Sequence, residues 1–413
     1  MKKNAVNAIV GQSGGPTAAI NATLSGVIRG ALENPGINKI YGMINGVEGL
    51  LNNNMKLLNG IFEDNEENLR LLENTPAAAL GSCRRRLPDL NDPDGEHIYE
   101  KIFRIFDEKN IKYVFYIGGN DSMDTVKKLS LYAKNIRSEI RIVGVPKTID
   151  NDLNGTDHSP GYGSAAKYIA ATMQEICCDN SIYAVESVVI TEIMGRDTGW
   201  LTAAAALPRL CGGKAPGLVY LPEADFSDDK FLSDIELEFR KNKFPVIAVS
   251  EGLKYSDGCY VCDTGNEHTA DTFGHTLLSG TADRLKWLVK EHFNCKVRGL
   301  ELNITQRCAA HLASLCDLTE AVQIGKNAVE AAVSGKTGIM MVFTRVSSNP
   351  YKIKIECEDI DNIANKIKTV PVSYINEAQN NVTDECLRHI LPLIAGEPEL
   401  IYQNGIPKIF EIL

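Results

Sequence analysis

The sequence contains no uninterrupted apolar run of the length needed to cross a bilayer, which argues against a membrane-spanning protein. It has no low-complexity tract and no obvious internal repeat, so solenoid and array architectures are set aside. Basic residues are the minority charge, 43 Lys and Arg against 53 Asp and Glu, for a formal net charge of −10. So acidic a chain lacks the broad basic face that nucleic-acid binding wants, and any phosphorylated ligand must be gripped by local basic clusters. A disulfide framework is missing too. The 11 cysteines are odd in number and scattered, which fits reduced thiols in a cytosolic protein. Cys259 and Cys262 form a C-x-x-C with no second pair at metal-site spacing, so no metal is assigned to them. The start Met1-Lys2-Lys3 is basic, but the apolar stretch behind it breaks at Gly11-Gln12-Ser13-Gly14 and makes no signal peptide. The expectation is a soluble, cytoplasmic protein with neither a membrane nor a nucleic-acid partner.

What the chain does have is length and alternation. At 413 residues, 44% of them hydrophobic, it is too long for one ordinary core and suggests two domains. Strand-like runs at Val6 to Val10, Ile111 to Ile117, Ile140 to Val145, Ser187 to Ile193, Gly217 to Leu221, Phe244 to Val249 and Lys296 to Leu302 alternate with helical patterns. The helices are expected at Thr17 to Glu33, Ser122 to Lys134, Ser164 to Cys177, from about Asp197, and over 270–293 and 308–335. Such alternation means βαβ units, largely parallel sheets and a three-layer α/β architecture with a cleft between two domains. Turn-rich Asn154-Gly155 and Ser159-Pro160-Gly161 mark a change of domain near 150–160.

The polar motifs gather at strand ends, where ligands bind in open α/β sheets. Pro146-Lys147-Thr148-Ile149-Asp150-Asn151-Asp152 follows the run ending at Val145. In extended chain Asp150 and Asp152 point to one side. A lysine with two carboxylates suits phosphoryl transfer, which needs a base for the acceptor and positive charge on the phosphate. Taken alone, such a segment reads first as a charged, solvated loop, and it is the neighbouring motifs that overturn this. Gly11-Gln12-Ser13-Gly14-Gly15-Pro16-Thr17 and Gly118-Gly119-Asn120-Asp121-Ser122 each leave a strand and open a helix. That geometry lets backbone N–H groups cradle an anion, although a plain turn or an N-cap by Asp121 or Ser122 would read the same. Met194-Gly195-Arg196, Glu251-Gly252, Arg298 and Gln306-Arg307 stand at further strand ends, and Gly81-Ser82-Cys83-Arg84-Arg85-Arg86 offers three guanidiniums. Gly335-Lys336-Thr337 is no Walker A loop, because Glu330 stands where glycine is required. Gly161-Tyr162-Gly163-Ser164-Ala165-Ala166 lacks a preceding strand, so its glycines are expected to permit close packing or backbone approach to a ligand.

In this order the motifs resemble those of the phosphofructokinase family, most closely its pyrophosphate-dependent branch, over essentially the whole chain. The resemblance implies two α/β/α Rossmann-like domains, with residues 1–155 plus about 307–380 binding the phosphoryl donor and 156–306 plus about 381–413 the sugar phosphate. It implies that Asp150 is the base for the 1-hydroxyl of fructose 6-phosphate, supported by Asp152. Thr148, Ile149, Met194, Gly195, Arg196, Glu251, Ile304 and Arg307 would form the sugar-phosphate site, with Arg298 supplied across a subunit interface. Gly14, Gly15, Arg84, Gly118, Gly119 and Ser122 would hold the donor. Mg²⁺ would lie near Asn120, Asp121 and Asp150, and the assembly would be a homodimer or homotetramer.

Two positions choose the donor. Asp121 and Lys147 stand where ATP-dependent members usually have glycine. A carboxylate at 121 opposes the α-phosphate of ATP, and Lys147 places a compact cation beside the transferring phosphoryl group. Val47 leaves no ring where ATP users often stack adenine. Three departures stand out: Asn120 replaces a common metal-binding aspartate, Ser187 a phosphate-binding arginine, and Ile304 a His or Tyr. The expected reaction is reversible transfer from pyrophosphate to fructose 6-phosphate; an ATP-dependent enzyme and a non-catalytic sugar-phosphate-binding regulator are the alternatives.

Overall fold

The computed structural model describes residues 6–412 apart from 94, 183 and 264–277. Its larger sheet has seven strands in the order β11-β10-β5-β4-β1-β2-β3. These are β1 (Val6–Gln12), β2 (Ile37–Met43), β3 (Met55–Leu57), β4 (Ile111–Gly118), β5 (Arg141–Pro146), β10 (Ile339–Ser348) and β11 (Tyr351–Asp359). The smaller sheet runs β7-β8-β6-β9, from β6 (Ser187–Ile193), β7 (Leu218–Tyr220), β8 (Val246–Ser250) and β9 (Lys296–Glu301). All its pairings are parallel. In the larger sheet only the outermost β3 and β11 run antiparallel.

Both sheets are covered on both faces, which is why their strands read as continuous apolar runs. In β1, Ala8 and Val10 join one core while Ile9 joins the other; in β4, Phe115 and Ile117 oppose Val114 and Tyr116. The smaller sheet splits in the same way, Val189 and Ile193 on one side and Val188 and Ile190 on the other. These are the three-layer α/β/α units anticipated from the sequence.

The boundaries moved where side chains compete for backbone groups. The first helix starts at Ile20 and not Thr17, because the Thr17 hydroxyl accepts the N–H groups of Ala19 at 3.2 Å and Ile20 at 2.9 Å and holds the chain in a turn ahead of the helix. The helix after β4 begins at Asn120, which puts Asn120 and Asp121 in its first turn. The stretch expected to be helical from 308 makes one short 3₁₀ turn, Ala310–Leu312, and becomes α-helix only over Leu315–Val333. The helix expected from about Asp197 is a short one, Trp200–Ala204. The last helix before β9 is Thr281–His292; the residues 270–277 expected to begin it lie outside the described residues. The β10–β11 hairpin and the Glu96–Glu108 helix were not anticipated. Among the described residues no helix is long and apolar enough to cross a membrane.

Candidate active site

The three central strands β1, β4 and β5 end side by side, and their loops interlock. The Ser13 N–H bonds Ile117 O at 2.9 Å, the Gly14 N–H bonds Cys83 O at 3.2 Å, and the Lys147 N–H bonds Gly118 O at 3.0 Å. Ser82 Oγ donates to Gly14 O at 2.5 Å, so the Arg84–Arg86 loop is tied to the same corner. Lys147 is buried, and its ammonium donates to Gly15 O at 2.7 Å. A side chain at Gly14 would put its Cβ 3.2 Å from that ammonium, and Gly14 already has φ +79°; glycine is needed for both reasons. Ser122 is buried against Gly118, where a Cβ would clash with its hydroxyl.

Thr148 is held extended, its N–H on Pro160 O at 3.1 Å. Its hydroxyl accepts the Asp150 N–H at 3.1 Å and donates to Asp150 Oδ2 at 3.4 Å, which orients the carboxylate. Burial raises the pKa of Asp150, against the pull of Lys147, Arg307 and Arg196. Burial, with the charge of Asp150, pushes Asp152 up to about 7. Burial also brings Lys147 down to about 8, although Asp150 and Asp152 oppose the shift. A desolvated base and a desolvated cation thus share one pocket, an arrangement typical of catalytic groups.

The second half of the site comes from β6, β8 and the turn after β9. The Gly195 N–H bonds Glu251 Oε1 at 3.1 Å and Gln306 Oε1 accepts the Met194 N–H at 3.3 Å. Ser250 Oγ holds Gly195 O at 2.5 Å, and at Gly252 a Cβ would strike Arg196 O. Burial raises Glu251 to about 7, helped by Asp150 and Glu192. Thr198 Oγ1 donates to Asp150 O at 3.0 Å, so the sugar-side turn and the Asp150 loop touch. Lys147, Asp150, Asp152, Arg84, Arg196, Glu251 and Arg307 therefore form one electrostatic cluster.

Some expected residues are placed otherwise. The Asn120 amide, expected at a metal, donates to Lys366 O at 2.9 Å and accepts the Asn365 N–H at 2.7 Å. Asp121 is paired through Oδ1 with Arg86 at 2.8 Å, leaving Oδ2 outside that pair. Val47 is buried in the core, so it faces no ligand and says nothing about adenine. Ile149 is buried too, and can offer a sugar only its backbone. Ile304 is 64% exposed at the surface. Arg298 lies on the edge strand β9 and pairs with Asp179 at 3.1 Å, outside the Asp150 cluster of its own chain. Gly161 and Gly163 do serve packing: at Gly163 a Cβ would sit 2.4 Å from Leu393 O.

Sequence reasoning missed Lys368, Glu223 and Asp317. Asp317 accepts the N–H groups of Gly161 and Ser164, both at 2.9 Å, and Glu223 accepts that of Gly199 at 2.9 Å. Each works on backbone far away in sequence, and no local pattern signals it. Among the described residues no three His, Cys, Asp or Glu gather as a ready-made metal site. The set still fits a hard divalent ion held by one or two carboxylates plus substrate phosphates, since Asp152 Oδ1 is buried with no hydrogen-bond partner.

The chain is similar to known proteins over most of its length. The family model described as Phosphofructokinase matches residues 7–332. The chain is 38% identical over 409 residues to the pyrophosphate–fructose 6-phosphate 1-phosphotransferase of Halomonas elongata, covering 98% of this chain and 96% of that protein. It is 37% identical over 405 residues to the protein of the same name from Xanthomonas campestris, covering 97% and 95%. The crystal structure of a pyrophosphate-dependent phosphofructokinase from Nitrosospira multiformis superposes with a TM-score of 0.86 at 34% identity, over 98% of this chain and 95% of that one.

Proposed function

This chain belongs to the phosphofructokinase family, and we propose that it transfers a phosphoryl group reversibly from pyrophosphate to the 1-hydroxyl of fructose 6-phosphate, giving fructose 1,6-bisphosphate and phosphate. The observation that carries the reading is the desolvated Lys147 ammonium, beside Asp150 and above the Gly14–Gly15 loop. The 1-hydroxyl oxygen bonds to the terminal phosphorus, its proton passes to Asp150, and the bridging P–O bond breaks to release phosphate. A carboxylate whose proton affinity is raised by burial is a better base for that proton. Lys147 and Arg84 meet the charge that develops on the leaving phosphate. Arg196, Glu251 and Arg307 hold the sugar phosphate, and Met194 and Gly195 line its site.

Mg²⁺ is the proposed metal; Asp150, Asp121 Oδ2 and the unpartnered Asp152 Oδ1 would hold it, and when bound it would neutralise charge on the phosphoryl oxygens. The donor-binding half is 1–155 plus about 307–380 and the sugar half 156–306 plus about 381–413, a division supported by the two sheets. Asp121 supports pyrophosphate over ATP, because its carboxylate repels a further phosphate. The edge position of Arg298 supports a homodimer or homotetramer in which this arginine serves a neighbour's 6-phosphate. A coupled assay with pyrophosphate and with ATP at matched Mg²⁺ tests the reading. Faster turnover of ATP would overturn it.

A further inference from the structure

Residues 365–370 lie beyond the span of the family match, which stops at 332, yet they touch each working part of the site. At one end the Asn365 N–H and Lys366 O clasp the Asn120 amide of the donor loop, and Asn365 Nδ2 donates to Asp124 at 3.1 Å in the same helix. Next, Ile367 forms an antiparallel bridge with Leu153. The Lys368 N–H then bonds Asp152 O at 2.8 Å. Beyond it, the Trp200 indole N–H donates to Lys368 O at 3.2 Å, and the Val370 N–H reaches Glu223 Oε1 at 2.8 Å. Glu223 is the carboxylate that also holds Gly199, beside the Arg196 turn.

Lys368 is the centre of this segment. Its ammonium donates to Asn151 Oδ1 at 3.2 Å, Thr156 O at 2.9 Å and Asp157 O at 2.9 Å, and lies 5.4 Å from the centroid of the Trp200 ring. All three donors go to neutral oxygens of the turn that carries Asp150 and Asp152, and none to a carboxylate. A lysine used in this way fixes a shape. The shape needs fixing, because Asn151 sits at φ +55°, a left-handed conformation that costs energy outside glycine. Its Oδ1, held by Lys368, also accepts the Ser159 N–H at 3.1 Å.

We propose that residues 365–370 are a strap that sets the donor loop, the Asp150 turn and the sugar-side turn at fixed separations, with Lys368 as its positioning residue acting through Asn151 and Asp152. The idea rests on the phosphotransfer reading above. Reactants held a fraction of an ångström off line lose rate far more than affinity. Lys368→Met, which keeps the apolar stem, is therefore expected to lower kcat by about 10- to 100-fold. The KM for each substrate should stay within about threefold, and the thermal midpoint should change by only a few degrees. Trp200→Phe keeps an aromatic side chain and the Lys368 ammonium but deletes the indole N–H tie to Lys368 O, so a smaller fall in kcat with the same unchanged KM values is expected. Amide hydrogen exchange, with no substrate present, should be faster over 148–157 in Lys368→Met. If that variant retains more than half the wild-type kcat, or loses kcat, both KM values and thermal stability together, the strap is overturned. Should Lys368→Met not fold, Trp200→Phe decides, and wild-type kcat there overturns the proposal. A wild-type protein inactive with pyrophosphate would instead overturn the functional reading; the exchange comparison would still judge the strap.

Discussion

Burial shifts the proton affinities of Asp150 and Lys147, each partner pulls the other's part of the way back, and the balance gives a definite pH dependence. The base works deprotonated, so activity falls as pH drops through its raised pKa; the cation works protonated, so activity falls as pH rises past about 8. The expected profile of kcat/KM is a bell whose alkaline limb disappears, along with most of the rate, in Lys147→Met. An alkaline limb unmoved by that substitution would assign it to another group. Asp150→Asn is expected to cost about 10²–10⁴ in kcat while fructose 6-phosphate still binds; a variant with half its activity would remove Asp150 from the role of base. Arg307→Ala should raise KM for fructose 6-phosphate well above that for pyrophosphate, since it deletes charge-assisted bonds of about 1.5–3 kcal/mol each. Equal effects on both substrates would make Arg307 a scaffold residue. Arg86 adds a point the sequence did not supply. Because it holds Asp121, Asp121→Gly also takes a carboxylate away from an arginine beside the donor loop. That change is expected to admit ATP and to slow the pyrophosphate reaction, as steady-state kinetics with both donors would reveal.

At the scale of elements, the first helix and Leu315–Val333 cross over glycines. A Cβ on Gly26 would lie 2.1 Å from Val322 O, and one on Gly325 would lie 2.4 Å from Thr23 O. Backbone meets backbone there, and a methyl group cannot be turned away as a flexible side chain could. Gly26→Ala is expected to destabilise by about 1–3 kcal/mol, read as a lowered denaturant midpoint with KM values intact. An unchanged midpoint would mean that the helices slide apart at little cost. The crossing matters for the site because both helices lead from it: the Thr17 hydroxyl accepts the Ile20 N–H at the start of the first, and Asp317, in the other, holds Gly161 and Ser164.

For the whole molecule, the telling placement is Arg298 on the free edge of the smaller sheet, paired with Asp179 and away from Asp150. If a neighbouring subunit receives it, Asp150→Asn and Arg298→Ala chains are each defective but complementary. Mixed under conditions that exchange subunits, they should regain activity, because some sites then combine an intact Asp150 with an intact Arg298. No recovery after verified mixing would leave Arg298 as a surface residue of its own chain.

The strand ends were legible in the sequence because buried parallel strands are apolar throughout, and the polar residues that interrupt them can only lie at their ends. Lys147, Asp150, Arg196 and Glu251 all follow such runs directly, and their grouping was foreseen. The thin alternation of the β10–β11 hairpin, with Ile353 and Ile355 half-buried between exposed Lys352, Lys354 and Glu356, is a weaker signal, and it passed unread. What the sequence could not determine was any contact between distant backbone and side chain. Nothing near position 120 says that its amide is taken up by residues 365 and 366, and nothing near 368 says that a lysine there secures Asn151, 217 positions away. Composition and periodicity report what a residue is and which way its own element faces. Which hydrogen-bond partner it meets depends on how whole layers come to rest against each other, and that is decided only by the folded chain.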